Sequence, residues 1–441
     1  MVTSDHPQPA QSKPRRRLWL VVGCLTVIPL VLIAVIVVAD RSSRAPIRAG
    51  APIPAASHSL DPWRAALTTL HAQAAALVRR DEPGWLAAVD PAAAQTRGFF
   101  QKRFAALAAL DVSQFSYQHG IPPVLTIGAT RFVADIYSTY CFSLDRCPAF
   151  SLGTGMGSPK IKEKVTFRQV GDRWLISAAV IADTPDPLQP TPWEGGHLVV
   201  ARGSRVTVAA TTSNATRLSN VVVAADRAAA TADRFAVSIG NPQRRYRIYL
   251  ATDQQWRVWY GGERSTWASG YTIGLNDVES DVVLRMSRIG NATELANTLQ
   301  HELGHVVTLG GTDTGGKAIY NQDQWLDEGI AEYIAYWPRP ANASSRRSAV
   351  RIIVHSTVRP TSIVLGELDD SASRRASDAY YGLSHFGVDC LARKFGQRKL
   401  LEFVTLKLRH ANTYDQASRK AFGSPFRPID TACVTWIRQH A

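Results

Sequence analysis

The chain has 441 residues, a length that favours two or three domains over one. Its hydrophobic content of 45% and charged content of 20% are typical of globular proteins and exclude general disorder. The formal net charge of +14 has no accompanying basic and aromatic cluster, so we expect no nucleic-acid partner.

An uncharged apolar stretch, residues 18–39, follows a polar and basic tail, residues 1–17. As a helix it would extend roughly 33 Å, enough to cross a bilayer. Basic residues immediately precede it, so the positive-inside rule predicts a cytoplasmic amino terminus and an extracytoplasmic remainder. The alternative is a cleaved signal peptide, but such peptides have a shorter apolar core, and residues 37–39 make a poor cleavage site. We therefore expect an uncleaved single-pass anchor in the cell membrane.

A linker rich in Pro, Ala and Ser, residues 40–59, leads to a first folded domain at residues 60–183. Its first half has helical periodicity, and its second half alternates apolar and polar residues as antiparallel strands do. Helices followed by such a sheet make an α+β domain. This order and the closing hairpin VTFRQVGDRWLIS, residues 165–177, resemble the nuclear-transport-factor-2-like (NTF2-like) fold. The resemblance implies a structural or docking role, with ligand binding as the alternative.

Four prolines between residues 183 and 196 mark a boundary, and a second domain covers residues 197–441. We predict strands and an Ala-rich helix, residues 218–235, in its first half and helices alone in its second half. A cleft between these two halves is the expected place for a site.

Four cysteines follow the apolar stretch, an even number that agrees with export. Proximity in the sequence favours a Cys141–Cys147 disulfide, which leaves Cys390–Cys433 as the second pair. Free buried thiols are the alternative.

The strongest motif is His301-Glu302-Leu303-Gly304-His305, an H-E-x-x-H pattern in a helix-like stretch. Histidines four residues apart share one helix face, so both imidazoles can reach one metal ion. Glu302 can reach a water at that metal and act as its base. The alternative is a helix with two solvated or core histidines, and the sequence further along the chain decides between the two.

The segment WLDEGIAEY, residues 325–333, supplies that context. With H-E-x-x-H it resembles the gluzincin metallopeptidases, the group that includes thermolysin and the M1 aminopeptidases, and the resemblance covers roughly residues 206–440. It implies a zincin-type (peptidase MA-like) fold, Glu328 as the third ligand and one Zn²⁺ per chain. The spacer from His305 to Glu328 is longer than usual, and Asp327 replaces the usual Asn. We expect neither difference to affect a ligand.

The resemblance also implies roles for residues around the ligands. Glu332 would hold a zinc-binding histidine in its tautomer. A downstream side chain would donate to the oxyanion, and the pattern selects Tyr381, with Tyr380 and His385 as alternatives. Residues 281–287, DVVLRMS, match the edge strand that pairs with an extended peptide. No G-x-M-E-N-like segment is present, which favours an endopeptidase over an aminopeptidase.

The sequence thus predicts a membrane-anchored, extracytoplasmic zinc metallopeptidase in which Glu302 takes the proton of a zinc-activated water. Its partners would be a peptide or protein substrate and, through residues 18–39, a lipid bilayer. The main alternative is a catalytically silent binding protein built on a peptidase-like scaffold. Against it, neither Glu302 nor any ligand is missing. A zinc hydrolase that cleaves a non-peptide bond is a third reading.

Overall fold

The structure is a computed structural model that describes residues 61–148, 157–186, 188–195, 197–263, 265–276, 278–309 and 323–441. These residues all belong to the unit Ser59–Ala441. The predicted tail, anchor and linker lie outside the described residues. Within the described part of the chain, no helix combines the length and the apolar character that a bilayer span requires.

The first part of this unit has three helices followed by four strands, as the sequence predicts. The helices are α1 (Pro62–Val78), α2 (Glu82–Leu86) and α3 (Ala94–Ala109); the strands are β1 (Gln114–His119), β2 (Arg131–Cys141), β3 (Lys160–Val170) and β4 (Arg173–Ile181). The side chain of Asp61 begins α1 by accepting a hydrogen bond from the Trp63 amide. Gly171, with φ of 62°, makes the tight turn between β3 and β4.

The four strands form an antiparallel sheet in the order β1-β2-β3-β4. Alternate residues of β2 face the core, so Phe132 and Ile136 are buried while Val133 is exposed. Large side chains occupy the interior between this sheet and the helices. Arg103 makes two buried hydrogen bonds to Glu163, at 2.8 and 2.7 Å, and the fully buried Trp193 lies close to the Arg103 guanidinium. The NTF2-like resemblance and the role of this domain stay predictions.

The second part contains a five-stranded sheet. Its strands are β5 (Val199–Arg202), β6 (Val206–Ala210), β7 (Tyr246–Ala251), β8 (Gly270–Gly274) and β9 (Ser280–Arg285), in the order β5-β6-β7-β9-β8. Strands β6, β7 and β9 are parallel, and the two outer strands are antiparallel to their neighbours. The prediction that residues 281–287 form the edge strand is therefore wrong, because β9 is paired on both sides and β8 is the edge strand next to it. A strand whose residues 281–284 are all buried fits an interior position.

Helices complete the second part: α4 (Leu218–Ile239), α5 (Asp253–Trp256), α6 (Ala292–Leu309), α7 (Gln324–Tyr336), α8 (Arg347–Val354), α9 (Arg374–Phe395), α10 (Gln397–Val404), α11 (Tyr414–Phe422) and α12 (Phe426–His440). Helix α4 makes the crossover between β6 and β7 and ends at Gly240, whose φ of 79° suits glycine. The described residues from 292 onward contain helices and no strand. The predicted division into a β-containing half and a helical half is confirmed.

The second sheet joins the two parts because successive side chains of a strand face opposite sides. Ile248 and Leu250 of β7 pack on the side of α4 and α6, whereas Tyr249 packs in the core of the first part. Buried hydrogen bonds also join the first part to the second part. The Glu279 carboxylate accepts them from the backbone amides of Phe142 and Ser143. The first part is thus packed directly on the sheet that carries the cleft.

Both predicted disulfides are present, Cys141–Cys147 and Cys390–Cys433. The second links α9 to α12 across 43 residues of chain. It therefore ties the terminal helix to the helix that carries Tyr381.

Candidate metal centre

Helices α6 and α7 meet at the centre of the second part. His301 and His305 lie four residues apart on α6, about one turn, so both imidazoles point to the same side. Glu328 lies on α7 and faces them. The three side chains are 9–13% exposed, and His301 lines a cleft that solvent can reach.

Two glycines let the helices approach closely enough for this contact. A Cβ on Gly304 of α6 would lie 3.2 Å from the Ala331 Cα of α7. A Cβ on Gly329 would lie 2.6 Å from the carbonyl oxygen of Ser384 on α9. Because real Cβ atoms are not found this close to backbone, α7 can sit between α6 and α9 only with glycine at position 329.

The donor atoms of the three residues form a small triangle. The two Nε2 atoms of His301 and His305 are 3.0 Å apart, and Glu328 Oε2 lies 3.1 and 3.3 Å from them. A tetrahedral zinc site with ligand distances near 2.0–2.1 Å separates its ligand atoms by about 3.3–3.4 Å. Within the described part of the chain, these three residues bring their possible ligand atoms within 4.8 Å of one another, close enough to hold one metal ion.

A buried atom without a hydrogen bond tests whether this triangle fits a metal. Glu328 Oε2 is buried, and its polar neighbours are the two imidazole Nε2 atoms at 3.1 and 3.3 Å, neither of which makes a well-aligned hydrogen bond to it. A buried carboxylate oxygen left in this state is costly, and a cation in front of it removes the cost. Two imidazoles and one carboxylate are also a ligand set that zinc prefers. The residues present therefore fit a zinc ion.

Two further carboxylates hold the outer nitrogens of the imidazoles. Asp327 Oδ1 lies 2.8 Å from His305 Nδ1, and Glu332 Oε1 lies 3.2 Å from His301 Nδ1. A carboxylate at Nδ1 favours the tautomer whose Nε2 lone pair is free for a metal. The expectation that the Asp327 difference would not affect a ligand is wrong, since this side chain contacts His305 directly. The position of Glu332 is the one that its predicted role requires.

The electrostatics of the group favour positive charge between the imidazoles and the carboxylates. Burial alone lowers the pKa of His301, but the carboxylates of Glu328 and Glu332, at 3.1 and 3.2 Å from its two nitrogens, outweigh it and raise that pKa to about 9. Burial alone raises the pKa of Glu328, but the two imidazoles hold it well below its usual value. A site that attracts protons in this way also attracts a metal cation.

Glu302 is held at the cleft by the edge strand β8. The Thr272 hydroxyl lies 3.0 Å from Glu302 Oε2 and 3.0 Å from its backbone oxygen. A Cβ on Gly270 would lie 2.5 Å from Glu302 Oε1, so glycine leaves room for the carboxylate. Burial raises the pKa of Glu302, and the nearby imidazoles oppose that shift. A carboxyl with a raised pKa is better suited to accept and return a proton near neutral pH.

Tyr381 lies at the same site. Its hydroxyl donates a hydrogen bond to Glu328 Oε1 at 3.1 Å, and its ring centroid is 5.7 Å from that of His301. The guanidinium of Arg346 lies 4.8 Å from the ring centroid, and the same arginine bonds Glu332. Tyr381 is therefore held in place by Glu328, a predicted ligand, and by Arg346, which bonds Glu332.

The two alternatives to Tyr381 lie elsewhere. The Tyr380 hydroxyl donates to Gln324 at 3.2 Å. His385 is fully buried against the Tyr336 ring, and neither of its ring nitrogens has a hydrogen-bond partner among the described residues. Burial lowers the pKa of His385 to about 4, so the ring is neutral. Of the three candidates, Tyr381 is the one that lines the cleft.

The cleft has a volume of about 250 Å³ and lies between β8, α6, α7 and α9. Its lining includes His301 and Glu302 of α6 and Tyr381 of α9, so these side chains face the same cleft. The carboxylates of Glu332 and Asp378 also reach it, but both bond Arg346.

The contact of Asp327 with His305 could not be predicted from the sequence. Asp327 directly precedes Glu328, and adjacent helix residues point about 100° apart, so it is the packing of α7 on α6 that brings both carboxylates to His305. Thr272 and Arg346 had no local signal, because their contacts with Glu302 and Glu332 span 30 and 14 residues of chain.

No protein-family model and no curated protein matches the chain. Among solved structures, native yeast LTA4 hydrolase is 15% identical with a TM-score of 0.35; the match covers 62% of this chain and 43% of that one. A two-domain M1 zinc metallopeptidase mutant bound to L-tryptophan is 10% identical with a TM-score of 0.30, over 71% of this chain and 62% of that one. This chain thus spans less than two thirds of either protein, and likeness at this level assigns neither family nor activity.

Proposed function

We propose that this protein is a zinc metallopeptidase whose zinc ligands are His301, His305 and Glu328. The observation that carries the proposal is the triangle of two Nε2 atoms and Glu328 Oε2, with His301 and Glu302 lining an open cleft. Zinc hydrolases need three protein ligands, a free fourth position and a base within reach of it.

A bound zinc ion would supply a Lewis acid that acidifies water and polarises a carbonyl. Glu302 accepts the proton of the attacking water, because its carboxylate is held at the cleft by Thr272, and then delivers this proton to the leaving amine. Tyr381 turns its hydroxyl from Glu328 towards the oxyanion that develops on the substrate and donates a hydrogen bond to it.

Strand β8 is the proposed binding edge for an extended peptide. It is paired with β9 on one side only, and its residues Gly270 and Thr272 contact Glu302. Its free backbone groups can pair with a substrate strand and bring the scissile bond to the base. This edge replaces residues 281–287, which the sequence suggested.

An internal cleavage site fits the cleft better than removal of a terminal residue. Binding of a free amino terminus requires an uncommitted carboxylate to pair with the ammonium group. Glu332 and Asp378 bond Arg346, and Glu294 accepts a hydrogen bond from the Gly290 amide. With Glu302 assigned as the base, these committed groups support an endopeptidase.

We also propose that residues 18–39 anchor the chain in the cell membrane with the catalytic unit on the extracytoplasmic side. The support is the length of the uncharged stretch and the basic residues that precede it. The two disulfides of the described residues agree with an oxidising compartment.

The deciding test uses the full chain purified in detergent. Metal analysis should find about one zinc per chain, and a casein or peptide-library assay should detect internal cleavage. Glu302→Gln should keep the zinc and lose turnover. A wild-type protein without zinc, or a Glu302→Gln variant that cleaves as well as wild type, contradicts the proposal. Zinc binding without any cleavage would favour the silent binding protein.

A further inference from the structure

The loop between β1 and β2, residues 120–130, exposes three aliphatic side chains and is called the apolar loop below. Ile121 is 92% exposed, Val124 102% and Ile127 103%. Single exposed aliphatics are common on protein surfaces. Three within seven residues of one loop, each almost fully exposed, form a concentrated apolar tip that indicates a binding surface.

The apolar loop is attached to the first part through Leu125, and this attachment leaves its three aliphatic side chains facing outward. Leu125 is partly buried and packs against the core of the first part, while its neighbour Val124 points away. The Ala129 amide donates to the Thr126 carbonyl at 3.0 Å, and Gly128 adopts a φ of 78°, so the loop closes in a turn. The loop is thus fastened at one apolar residue and presents the others to its surroundings.

The chain enters the folded unit beside this loop. The Trp63 ring lies 5.2 Å from His119 and 6.1 Å from Phe132, measured between ring centroids. His119 directly precedes the apolar loop, and Phe132 is the second residue after it. Residues 40–60 can extend at most roughly 70 Å, so α1 and the loop beside it remain within reach of the bilayer that would hold residues 18–39.

Exposed cations flank the tip. Arg64 follows Trp63 on α1, and Arg131 directly follows the loop on β2; both are exposed. Anionic lipid headgroups attract such side chains, and the net charge of +14 adds to this attraction. An apolar tip with basic flanks is the combination that binds a bilayer surface.

We propose that Ile121, Val124 and Ile127 insert into the extracytoplasmic face of the anionic bilayer that holds the anchor. The inference rests on the anchor in the proposed function and goes beyond it. The loop acts as a second membrane contact and fixes the orientation of the first part at the surface. Because the first part packs directly on the second sheet, the cleft is then held at a set position above the lipid.

The test is made on the full chain reconstituted in phosphatidylglycerol-containing vesicles. In a Cys24→Ala background the remaining cysteines are paired, so Val124→Cys can be labelled with an environment-sensitive fluorophore. The matched control is Val237→Cys, an exposed valine of α4 on the opposite side of the second sheet from the first part. The label at 124 should be quenched by doxyl lipids and protected from aqueous iodide by at least about threefold relative to the label at 237.

Two substitutions and a change of lipid refine this result. Ile121→Ser combined with Ile127→Ser should remove the protection of the label at 124, while zinc content and cleavage in detergent stay unchanged. Neutral lipid should reduce the protection, because Arg64 and Arg131 then lose their anionic partners. Thermal unfolding of the labelled proteins should match wild type, because the changed side chains are exposed.

Each contrary outcome overturns a different part of the proposal. If alkaline carbonate extracts the chain from vesicles, the anchor is wrong and the lipid docking falls with it. If the chain is retained but iodide quenches the label at 124 as well as that at 237, the docking alone is wrong. A label shielded from iodide but untouched by doxyl lipids means that protein covers the loop. Loss of peptide cleavage with the fluorescence intact would contradict the peptidase and leave the docking standing.

Discussion

Asp327 and Glu328, adjacent residues of α7, contact the two nitrogens of one imidazole. Asp327 Oδ1 lies 2.8 Å from His305 Nδ1, and Glu328 Oε2 lies 3.3 Å from its Nε2. The first contact sets the tautomer, and the second places the third donor beside the nitrogen that this tautomer leaves free. One turn of α7 thus orients a predicted ligand and supplies another.

Removing the carboxylate charge at Asp327 should weaken zinc binding. We expect Asp327→Asn and Asp327→Ala to lower zinc affinity by about 10–100-fold, with the larger loss for alanine, which has no acceptor oxygen. Competition with a chelator measures the affinity. Asp370→Asn, at an exposed position away from the site, is the control and should bind as wild type. Equal affinities for all the variants would show that the 2.8 Å contact does not orient His305.

The hydroxyl of Thr272 should matter for turnover and not for zinc. Valine has the same shape and the same preference for strands, so Thr272→Val removes only the hydroxyl and its contacts with the carboxylate and the backbone oxygen of Glu302. We expect kcat to fall by about 10–100-fold while zinc content is unchanged, since the base loses its position. Thr272→Ser keeps the hydroxyl and should stay near wild type. A loss of zinc in Thr272→Val, or equal rates in the two variants, would contradict this role.

Tyr381 should affect turnover more than substrate binding. Loss of an oxyanion donor typically costs about 10²–10³ in kcat, so Tyr381→Phe should show that loss with a little-changed KM and intact zinc. Tyr380→Phe is the control, because its hydroxyl bonds Gln324 instead. Steady-state kinetics on one peptide would separate the two. If Tyr380→Phe loses activity and Tyr381→Phe keeps it, Tyr380 and not Tyr381 is the oxyanion donor.

Gly329 should limit stability because of its contact with α9. In Gly329→Ala the new Cβ would meet the Ser384 carbonyl oxygen at 2.6 Å, so α7 must move away from α9. Overpacking of this kind costs about 1–3 kcal/mol, and the same movement should weaken zinc binding by displacing Glu328. Denaturant unfolding in the apo state measures the first effect, and chelator competition measures the second.

The same substitution at Gly98 on α3 should raise stability instead of lowering it. Nothing lies within 4 Å of a Cβ built there, and the residue is inside a helix. Gly98→Ala should therefore stabilise the protein by about 0.5–1 kcal/mol, because alanine favours helix and loses less entropy on folding. Equal effects of the two substitutions would show that the contact with α9 does not limit stability.

Short-range patterns predicted the helices and part of the site. The order of helices and strands in the first part, the helix that carries His301 and His305, and both disulfides are present as predicted. Each depends on residues within a few turns, on strand alternation, or on a small number of cysteine pairings. The segment with Glu328 could be found because it forms a compact pattern on one helix.

The order of strands could not be predicted in the same way. Residues 281–287 were expected at the edge, yet Ser280–Arg285 lies between β7 and β8. Strand pairing joins residues that are distant in sequence, as Arg247 and Asp281 are, and neither strand alone specifies its neighbour. The consecutive buried residues of β9 were the available sign of an interior strand.

The sequence by itself determined that His301 and His305 share one helix face with Glu302 next to His301, which follows from the period of one helix. Glu328 as the predicted third ligand came from the resemblance of residues 325–333 to the gluzincin metallopeptidases. Tertiary structure alone decided which groups hold them: Thr272 at Glu302, Arg346 at Glu332 and Tyr381 at Glu328. These contacts form where β8, α7, α8 and α9 pack around α6, and close packing of distant segments leaves no local pattern in the chain.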